Sequence, residues 1–232
     1  MPATRADDDA AFTPERADRA PLMTAPWWGA TALVALHWAA LLLDDAFLVA
    51  ATKPLAMVGI IAAALVSGLL RRRWGAAAFI GLLFGLTGDV LLLWSGETAF
   101  LAGLLAFLCG HLAYLVAFRR HGLQQWWGNG VGLIAVVACV TFSGALLPTL
   151  WRDGGVASAG PVAAYMLVIG AMSIAAWATR RVAVGIGASL FVLSDTILAM
   201  NAFVWTDPAG PLSVMVPYLI GQGLIAWGLS RP

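Results

Sequence analysis

Ionisable side chains interrupt apolar stretches of this sequence that are long enough to cross a membrane. Asp89, His111, Tyr114 and Asp195 each lie inside such a stretch. Ionisable groups are costly to place in hydrocarbon, so they generally mark a functional site there. Two nearby carboxyls in a medium of low dielectric cannot both ionise cheaply, so they are expected to titrate as a pair. The two aspartates therefore favour acid–base chemistry inside a membrane.

The composition is that of a polytopic membrane protein. Of the 232 residues, 61% are hydrophobic and 11% are charged, and the mean hydropathy is +0.88. Soluble domains average about 25% charged residues. The net charge of +1 argues against nucleic acid as a partner. Cys109 and Cys139 lie in apolar runs without metal-ligand spacing, so inert packing thiols and no metal site are expected.

Eight segments are apolar enough to span a bilayer, which requires about 20 residues per helix. They are residues 27–43, 53–70, 76–94, 99–118, 129–147, 160–178, 183–204 and 212–229. The predicted fold class is an all-α polytopic membrane protein with eight transmembrane helices in residues 26–232. Residues 1–25 are polar, lack the apolar core of a signal peptide and are expected to form a disordered cytoplasmic tail.

The distribution of cations predicts the orientation of these helices. Eleven of the thirteen Lys and Arg residues fall on one side of the predicted membrane, whereas only Lys53 and Arg152 fall on the other. Because cytoplasmic loops carry an excess of Lys and Arg, both termini are expected in the cytoplasm. The Ala-, Gly- and Arg-rich composition with a single lysine indicates a bacterial protein, so the expected location is the cytoplasmic (inner) membrane.

A weak internal repeat relates residues 81–94 to residues 187–200, with a glycine, an aspartate and a leucine matching among fourteen positions. The two segments belong to the third and seventh predicted helices, which share an orientation. The pattern fits a parallel four-plus-four duplication.

The predicted helix depths bring several polar groups to one level of the membrane. His111 and Tyr114 share a helix face at i, i+3, and Tyr218 and Gln222 share one at i, i+4. With the two aspartates, they are expected to surround one cavity between the membrane midplane and the outer surface. Each could instead form a hydrogen bond that only joins helices. Isolated polar groups are assigned structural roles: His37, Tyr165 and Asn201.

Lys53 stands in a Thr-Lys-Pro motif that is expected to begin the second helix. Pro54 suits the first helical turn, and Thr52 is a suitable capping residue. A lysine at a helix N-terminus forms an anion site, because the helix dipole also attracts negative charge there. In a membrane the expected anion is a lipid phosphate. The alternative is a lysine that only reaches the membrane interface.

Short motifs in this order resemble the YhhN-like family of membrane proteins, which includes the lysoplasmalogenases. They are Lys-Pro-Leu at 53–55, Gly-Asp at 88–89, the run Phe-Leu-Cys-Gly-His-Leu-Ala-Tyr at 107–114, Leu-Phe-Val-Leu-Ser-Asp at 190–195, and Tyr218 followed by Gln222. The resemblance implies hydrolysis of the vinyl ether bond of a lysoplasmalogen. The products would be a fatty aldehyde and glycerophosphoethanolamine or glycerophosphocholine.

The resemblance also implies roles for the matching residues. The implied catalytic residues are Asp89, Asp195 and His111, and the implied substrate-binding residues are Lys53, Tyr114, Ser194, Tyr218 and Gln222. Vinyl ether hydrolysis begins with protonation of an alkene carbon, so it requires a general acid and benefits from a carboxylate that stabilises the cation. Asp195 is expected to be the acid because it lies nearer the midplane. Asp89, nearer the outer surface and His111, would remain ionised.

The implied partners are a lysophospholipid substrate and membrane lipids, with no cofactor and no nucleic acid; the sequence indicates no protein partner. A proton-coupled transporter of a small or lipid-like molecule is the main alternative, since it would also use buried carboxyls and a histidine. An intramembrane aspartyl protease fits less well. Its Gly-x-Gly-Asp motif is lengthened by one residue before Asp89, and Ser194 replaces the expected tyrosine before Asp195. A non-catalytic scaffold would require neither aspartate.

Overall fold

The structure, a computed structural model, describes residues 24–123, 130–203 and 210–231. Within these ranges the chain is entirely helical and contains no β-strand, which confirms the predicted all-α class. The α-helices are α1 (Ala25–Leu42), α2 (Ala46–Val66), α3 (Gly75–Leu91), α4 (Glu97–His121), α5 (Gly130–Ala178), α6 (Val182–Phe203) and α7 (Pro211–Ser230), with a 3-10 turn at Leu69–Arg71. The predicted tail lies outside the described residues, apart from its last two positions.

Six helical segments of the described chain are long and apolar enough to cross a membrane. They are Ala25–Leu42, Ala46–Val66, Glu97–His121, Ala159–Ala178, Val182–Ala202 and Pro211–Ser230. The apolar helix α3 has 17 residues, so it covers about 26 Å of a hydrocarbon layer that is about 30 Å thick. Six of the eight predicted spans thus correspond to these six segments. The count of eight, the orientation and the internal repeat stay predictions.

Helix α5 contains both the fifth and the sixth predicted spans. Its 49 residues are helical on each side of Gly155, whose backbone angles of φ 60° and ψ −142° are not helical. Glycine adopts such a positive φ without the steric penalty of a side chain. The break between the fifth and sixth predicted spans is therefore a single residue, and helix extends through the rest of the stretch between residues 147 and 160.

The start of α2 corrects the expected position of Lys53. The helix begins at Ala46, and its N-cap is Asp45, whose side chain accepts a hydrogen bond from the Leu48 amide at 3.0 Å. Thr52 does not cap the helix; its hydroxyl donates to the Leu48 carbonyl at 2.6 Å. Lys53 consequently lies about two turns inside the helix. The helix-dipole argument for an anion site at Lys53 is wrong.

Helix α7 contacts α1, α2, α3 and α6, so it packs against helices from both halves of the described chain. Its closest neighbour is α6, at a pair of glycines. A Cβ added to Gly187 would lie 2.7 Å from the Gly221 carbonyl oxygen, and one added to Gly221 would lie 2.8 Å from the Gly187 carbonyl oxygen. Small residues permit such close approach of membrane helices. This contact fixes the position of Asp195 on α6 relative to Tyr218 on α7.

Glycines also bring α3 close to the neighbouring helices near Asp89. A Cβ at Gly81 would meet the Tyr114 ring at 2.8 Å, and one at Gly88 would meet the Phe107 ring at 2.8 Å. A Cβ at Gly85 would meet Gln222 Nε2 at 2.7 Å. The glycine face of α3 therefore packs against α4 and α7, and Asp89 is buried beside it.

Candidate active site

A cavity of about 450 Å³ lies among six helices and contains both membrane aspartates. Helices α1, α2, α3, α4, α6 and α7 all contribute to its wall. Of the eight site residues expected from the sequence, the cavity is lined by five: Lys53, Asp89, Ser194, Asp195 and Tyr218. The side chains come from α2, α3, α6 and α7, so only the packing of these helices creates the site.

Asp89 has a partner at each carboxylate oxygen. Lys53 Nζ lies 3.6 Å from Oδ1, and the Tyr218 hydroxyl donates to Oδ2 at 2.7 Å. The Asp89 side chain is 2% exposed and the Lys53 side chain 12% exposed. A buried carboxylate requires such a counter-ion and hydrogen-bond donor to offset its lost hydration. Lys53 and Tyr218 therefore equip Asp89 to hold a negative charge at the cavity wall.

Asp195 has different neighbours. The Tyr165 hydroxyl donates a hydrogen bond to its Oδ2, and His111 Nε2 lies 3.9 Å from the same oxygen. In the part of the chain that the structure describes, no Lys or Arg side chain forms an ion pair with Asp195. The two carboxyls thus face one cavity from unlike surroundings: an ammonium group stands beside Asp89, whereas a phenol and an imidazole stand beside Asp195.

His111 approaches Asp195 rather than Asp89, which corrects the expected neighbourhood. The fully buried imidazole packs edge-on against Phe191, with ring centroids 4.7 Å apart, and against Tyr165, at 5.5 Å. Neither ring nitrogen has a hydrogen-bond partner among the described residues. His111 does not line the cavity itself. Depth along a helix could be inferred from the sequence, but the direction of the side chain around that helix could not.

Tyr114 and Gln222 stand behind the cavity wall. The Tyr114 hydroxyl donates to Gln222 Oε1 at 2.5 Å, and neither residue lines the cavity. The surroundings of Gly85 on α3 show that Gln222 lies near the site. A Cβ added to Gly85 would be 2.7 Å from Gln222 Nε2 and 3.4 Å from the Tyr218 hydroxyl. The Gln222 amide and the Tyr218 hydroxyl therefore both lie beside Gly85, one turn apart on α7.

Ser194 lines the cavity, but its hydroxyl proton is already engaged in a hydrogen bond. Its hydroxyl donates to the Val214 carbonyl at 2.9 Å and joins α6 to α7 next to Asp195. The oxygen can still accept a hydrogen bond from a bound molecule. This contact holds Asp195 at a defined distance from the N-terminal half of α7.

Three residues that the sequence analysis treated as structural belong to the site or its support. His37 and Asn201 line the cavity, and Tyr165 holds Asp195. His37 Nδ1 is also 2.9 Å from Thr52 Oγ1, which links α1 to α2 beside Lys53. A sequence signal was present, because each is a polar group inside an apolar helix.

The described residues offer no obvious metal site. Nowhere in residues 24–123, 130–203 and 210–231 do three or more His, Cys, Asp or Glu side chains come together as ligands would. The expectation that the protein uses no cofactor stays a prediction. Chemically, the cavity offers two carboxyls, an ammonium, an imidazole and phenol hydroxyls.

Apolar helices of membrane length around a buried carboxylate-lined cavity define an integral membrane protein with an intramembrane polar site. The YhhN family model matches residues 48–229, and the chain belongs to the YhhN family.

Named relatives give the family a biochemical context. Lysoplasmalogenase TMEM86A of Bos taurus is 32% identical over 158 residues, which cover 64% of this chain and 62% of the relative. Lysoplasmalogenase TMEM86B of Sus scrofa is 37% identical over 150 residues, which cover 65% of this chain and 62% of the relative. The chain thus matches somewhat less than two thirds of the length of these relatives. No solved structure is significantly similar to it.

Proposed function

We propose that this protein is a membrane hydrolase that cleaves the vinyl ether bond of a lysoplasmalogen. The products would be a fatty aldehyde and glycerophosphoethanolamine or glycerophosphocholine. The observation that carries this proposal is the placement of Asp89 and Asp195 on one intramembrane cavity with unlike partners. The names of the relatives supply the reaction, and acid–base chemistry of a vinyl ether is what two such carboxyls can perform.

In this proposal Asp195 is the general acid. It transfers its proton to the alkene carbon that is not bonded to oxygen, which leaves an oxocarbenium ion. Water then attacks the carbon bonded to oxygen, and the resulting hemiacetal collapses to an aldehyde and the free glycerol hydroxyl. The proton that water loses restores Asp195, so one water is consumed for each bond cleaved. Tyr165 and His111 both approach Oδ2 of Asp195, and we therefore assign proton transfer to Oδ1.

Asp89 remains a carboxylate and stabilises the developing cation. The Lys53 ammonium favours this charged form, because an opposite charge at 3.6 Å compensates it in a medium of low dielectric. Preorganised charge aimed at a developing ion is among the largest contributions to catalysis. The same carboxylate can accept a hydrogen bond from the attacking water and orient it.

Lys53 is also assigned to the lipid phosphate. Its ammonium lines the cavity on the same wall as Asp89, so a head group that enters the cavity would approach both groups. This assignment rests on position in the cavity, since the helix N-terminus lies elsewhere. Tyr218 and Ser194, which line the same cavity, are assigned to substrate contacts. Tyr114 and Gln222 would act through Tyr218.

The topology is proposed from charge. Eleven of the thirteen cations lie on one side of the eight-span arrangement, which supports cytoplasmic termini in a bacterial inner membrane. The two remaining predicted spans are residues 76–94, which correspond to the 17-residue helix α3, and residues 129–147, which lie in the first half of α5.

The test is direct. Purified protein in lipid nanodiscs is incubated with a lysoplasmalogen, and free aldehyde is measured with a coupled aldehyde reductase. Release by the wild type and its loss in Asp195→Asn are expected. Uptake of a lysolipid into proteoliposomes with no aldehyde formed would indicate the transporter alternative. Absence of both activities would leave the scaffold alternative.

A further inference from the structure

We propose that an apolar groove between α1 and α7 binds the hydrocarbon chain of the lipid whose polar part occupies the aspartate cavity. The groove has a volume of about 380 Å³. Its walls include Val34 and Ala35 on α1, Ile60 on α2, and Ile220 and Gly223 on α7. That this hydrocarbon chain belongs to a substrate rests on the proposed function. That the groove binds hydrocarbon rests on the lining of the groove itself.

The residues that line this groove between α1 and α7, hereafter the chain groove, form a surface suited to a hydrocarbon chain. None of its side chains is ionisable, and its polar atoms at one end are already engaged. Trp27 Nε1 donates to Ser67 Oγ at 2.9 Å, and the Thr31 hydroxyl donates to the Trp27 carbonyl at 2.9 Å. Trp38 Nε1, at the other end, is buried without a hydrogen-bond partner in the described ranges. Apolar cavities do not hold water well, so an alkyl chain is the occupant that the surface fits.

The chain groove follows the aspartate cavity along the same helices. On α7, Tyr218 lines the cavity and Leu219 lines the groove. On α1, His37 lines the cavity and Trp38 lines the groove. On α2, the cavity-lining residue is Lys53, and Ile60 reaches the groove about two turns further on. A lipid whose reactive bond lies at the aspartates can therefore direct its tail between α1 and α7.

The extent of the groove suits a long chain rather than a short one. Trp27 and Trp38 mark its two ends on α1, and eleven residues of helix cover about 16 Å. The unpartnered Trp38 indole lies at the end nearest the cavity, where the polar attachment of the chain would begin. Most of the binding surface for a single-chain lipid would then lie outside the aspartate cavity.

Gly223 provides a way to shorten the groove without disturbing the packing. A Cβ added at Gly223 would meet no atom within 4 Å, so a leucine there would extend into the groove. Gly29 is the matched control. A Cβ at Gly29 also meets nothing within 4 Å, but this residue does not line the groove. Ala35→Phe narrows the groove from the opposite helix and serves as a second variant.

The first experiment measures kcat/KM for lysoplasmalogens with C8 and C18 chains. One methylene in a hydrophobic pocket changes discrimination by about tenfold or more, so Gly223→Leu should lower the C18-to-C8 ratio at least about tenfold. Ala35→Phe should do the same, and Gly29→Leu should keep the wild-type ratio. Equal effects on both chain lengths in both groove variants would overturn the proposal. Retained aldehyde release from C8 shows that each variant is folded.

A second experiment does not depend on hydrolysis. A non-cleavable alkyl lysophosphatidylcholine with a diazirine at the chain end is photolysed with the protein in nanodiscs, and labelled peptides are mapped by mass spectrometry. Labels on the groove residues of α1 and α7, lost in Gly223→Leu and retained in Gly29→Leu, are expected. Labels spread evenly over all lipid-facing helices would identify ordinary annular lipid and overturn the proposal. If the wild type releases no aldehyde from any substrate, the hydrolase proposal fails while this experiment still decides the groove.

Discussion

Lys53 and Asp89 form an ion pair in the wall of the cavity, with 3.6 Å between Nζ and Oδ1. The lysine is on α2 and the aspartate on α3, and the Tyr218 hydroxyl of α7 completes the carboxylate's surroundings. Three helices are thus joined at one buried charge. This arrangement makes Lys53 part of the stability of the bundle as well as of its chemistry.

Lys53→Met should destabilise the protein strongly, because it leaves Asp89 as a buried charge without a counter-ion. Breaking a buried pair in this way costs about 3–5 kcal/mol. The double variant Lys53→Met/Asp89→Asn should recover much of the loss, since it removes the charge too. Thermal unfolding in detergent measures both. Additive losses in the double variant would show that the pair contributes nothing as a unit.

Asp89→Asn and Asp195→Asn should each remove most of the activity in a protein that still folds. Asp89→Asn should also lower the thermal stability, because it leaves the Lys53 ammonium without its counter-ion. Asparagine keeps the size of the side chain but cannot act as an acid or carry the stabilising charge, and loss of a general acid costs about 10²–10⁴ in rate. The double variant should be little worse than either single one, because the two residues act as a unit. Aldehyde release under saturating substrate is the measurement. Near-normal rates in both single variants would rule out the proposed mechanism.

Tyr165→Phe should lower kcat about tenfold with little change in KM, since it removes the hydrogen bond that orients Asp195. Ser189→Ala is the matched control. It also removes a hydrogen bond between α5 and α6, the one from Trp177 Nε1 at 3.0 Å, but away from the cavity. Steady-state kinetics of both variants distinguish a tyrosine that orients Asp195 from one that only joins two helices. Equal kcat values for the two variants would mean that Tyr165 only joins helices.

Gly221→Ala should destabilise the bundle by about 1–3 kcal/mol, because the new methyl would meet the Gly187 carbonyl oxygen at 2.8 Å and backbone cannot move aside easily. Gly170→Ala is the control. Its Cβ meets nothing within 4 Å, and alanine is the better helix former by up to about 1 kcal/mol. The midpoint temperature of thermal unfolding should therefore fall for Gly221→Ala and stay the same or rise for Gly170→Ala.

The charge distribution predicts that Arg71 faces the cytoplasm and Asp44 faces the opposite side. Both residues are exposed, so single cysteines at these positions are suitable probes in a background without Cys109 and Cys139. An impermeant thiol reagent added to intact cells should label Asp44→Cys and spare Arg71→Cys. The reverse labelling pattern would invert the topology.

Local sequence determined the helical class and most helix positions, because hydropathy over about 20 residues is a property of each segment alone. It also singled out Asp89 and Asp195, since a carboxyl in an apolar run stands out without knowledge of its partners. The true start of α2 was visible as well: Asp45 precedes an apolar run and is a good N-cap. The Thr-Lys-Pro motif at 52–54 instead predicted a later start for this helix.

Only the tertiary structure decided which side chains meet. A sequence indicates the depth of His111 along α4, but the packing of α4 against α6 turns its imidazole towards Asp195. The same applies to Tyr165, whose partner lies thirty residues away on another helix. Close glycine contacts between helices, such as Gly187 with Gly221, constrain the angle of α6 and α7 about their own axes. Those contacts depend on two segments at once, so no single stretch of sequence carries them.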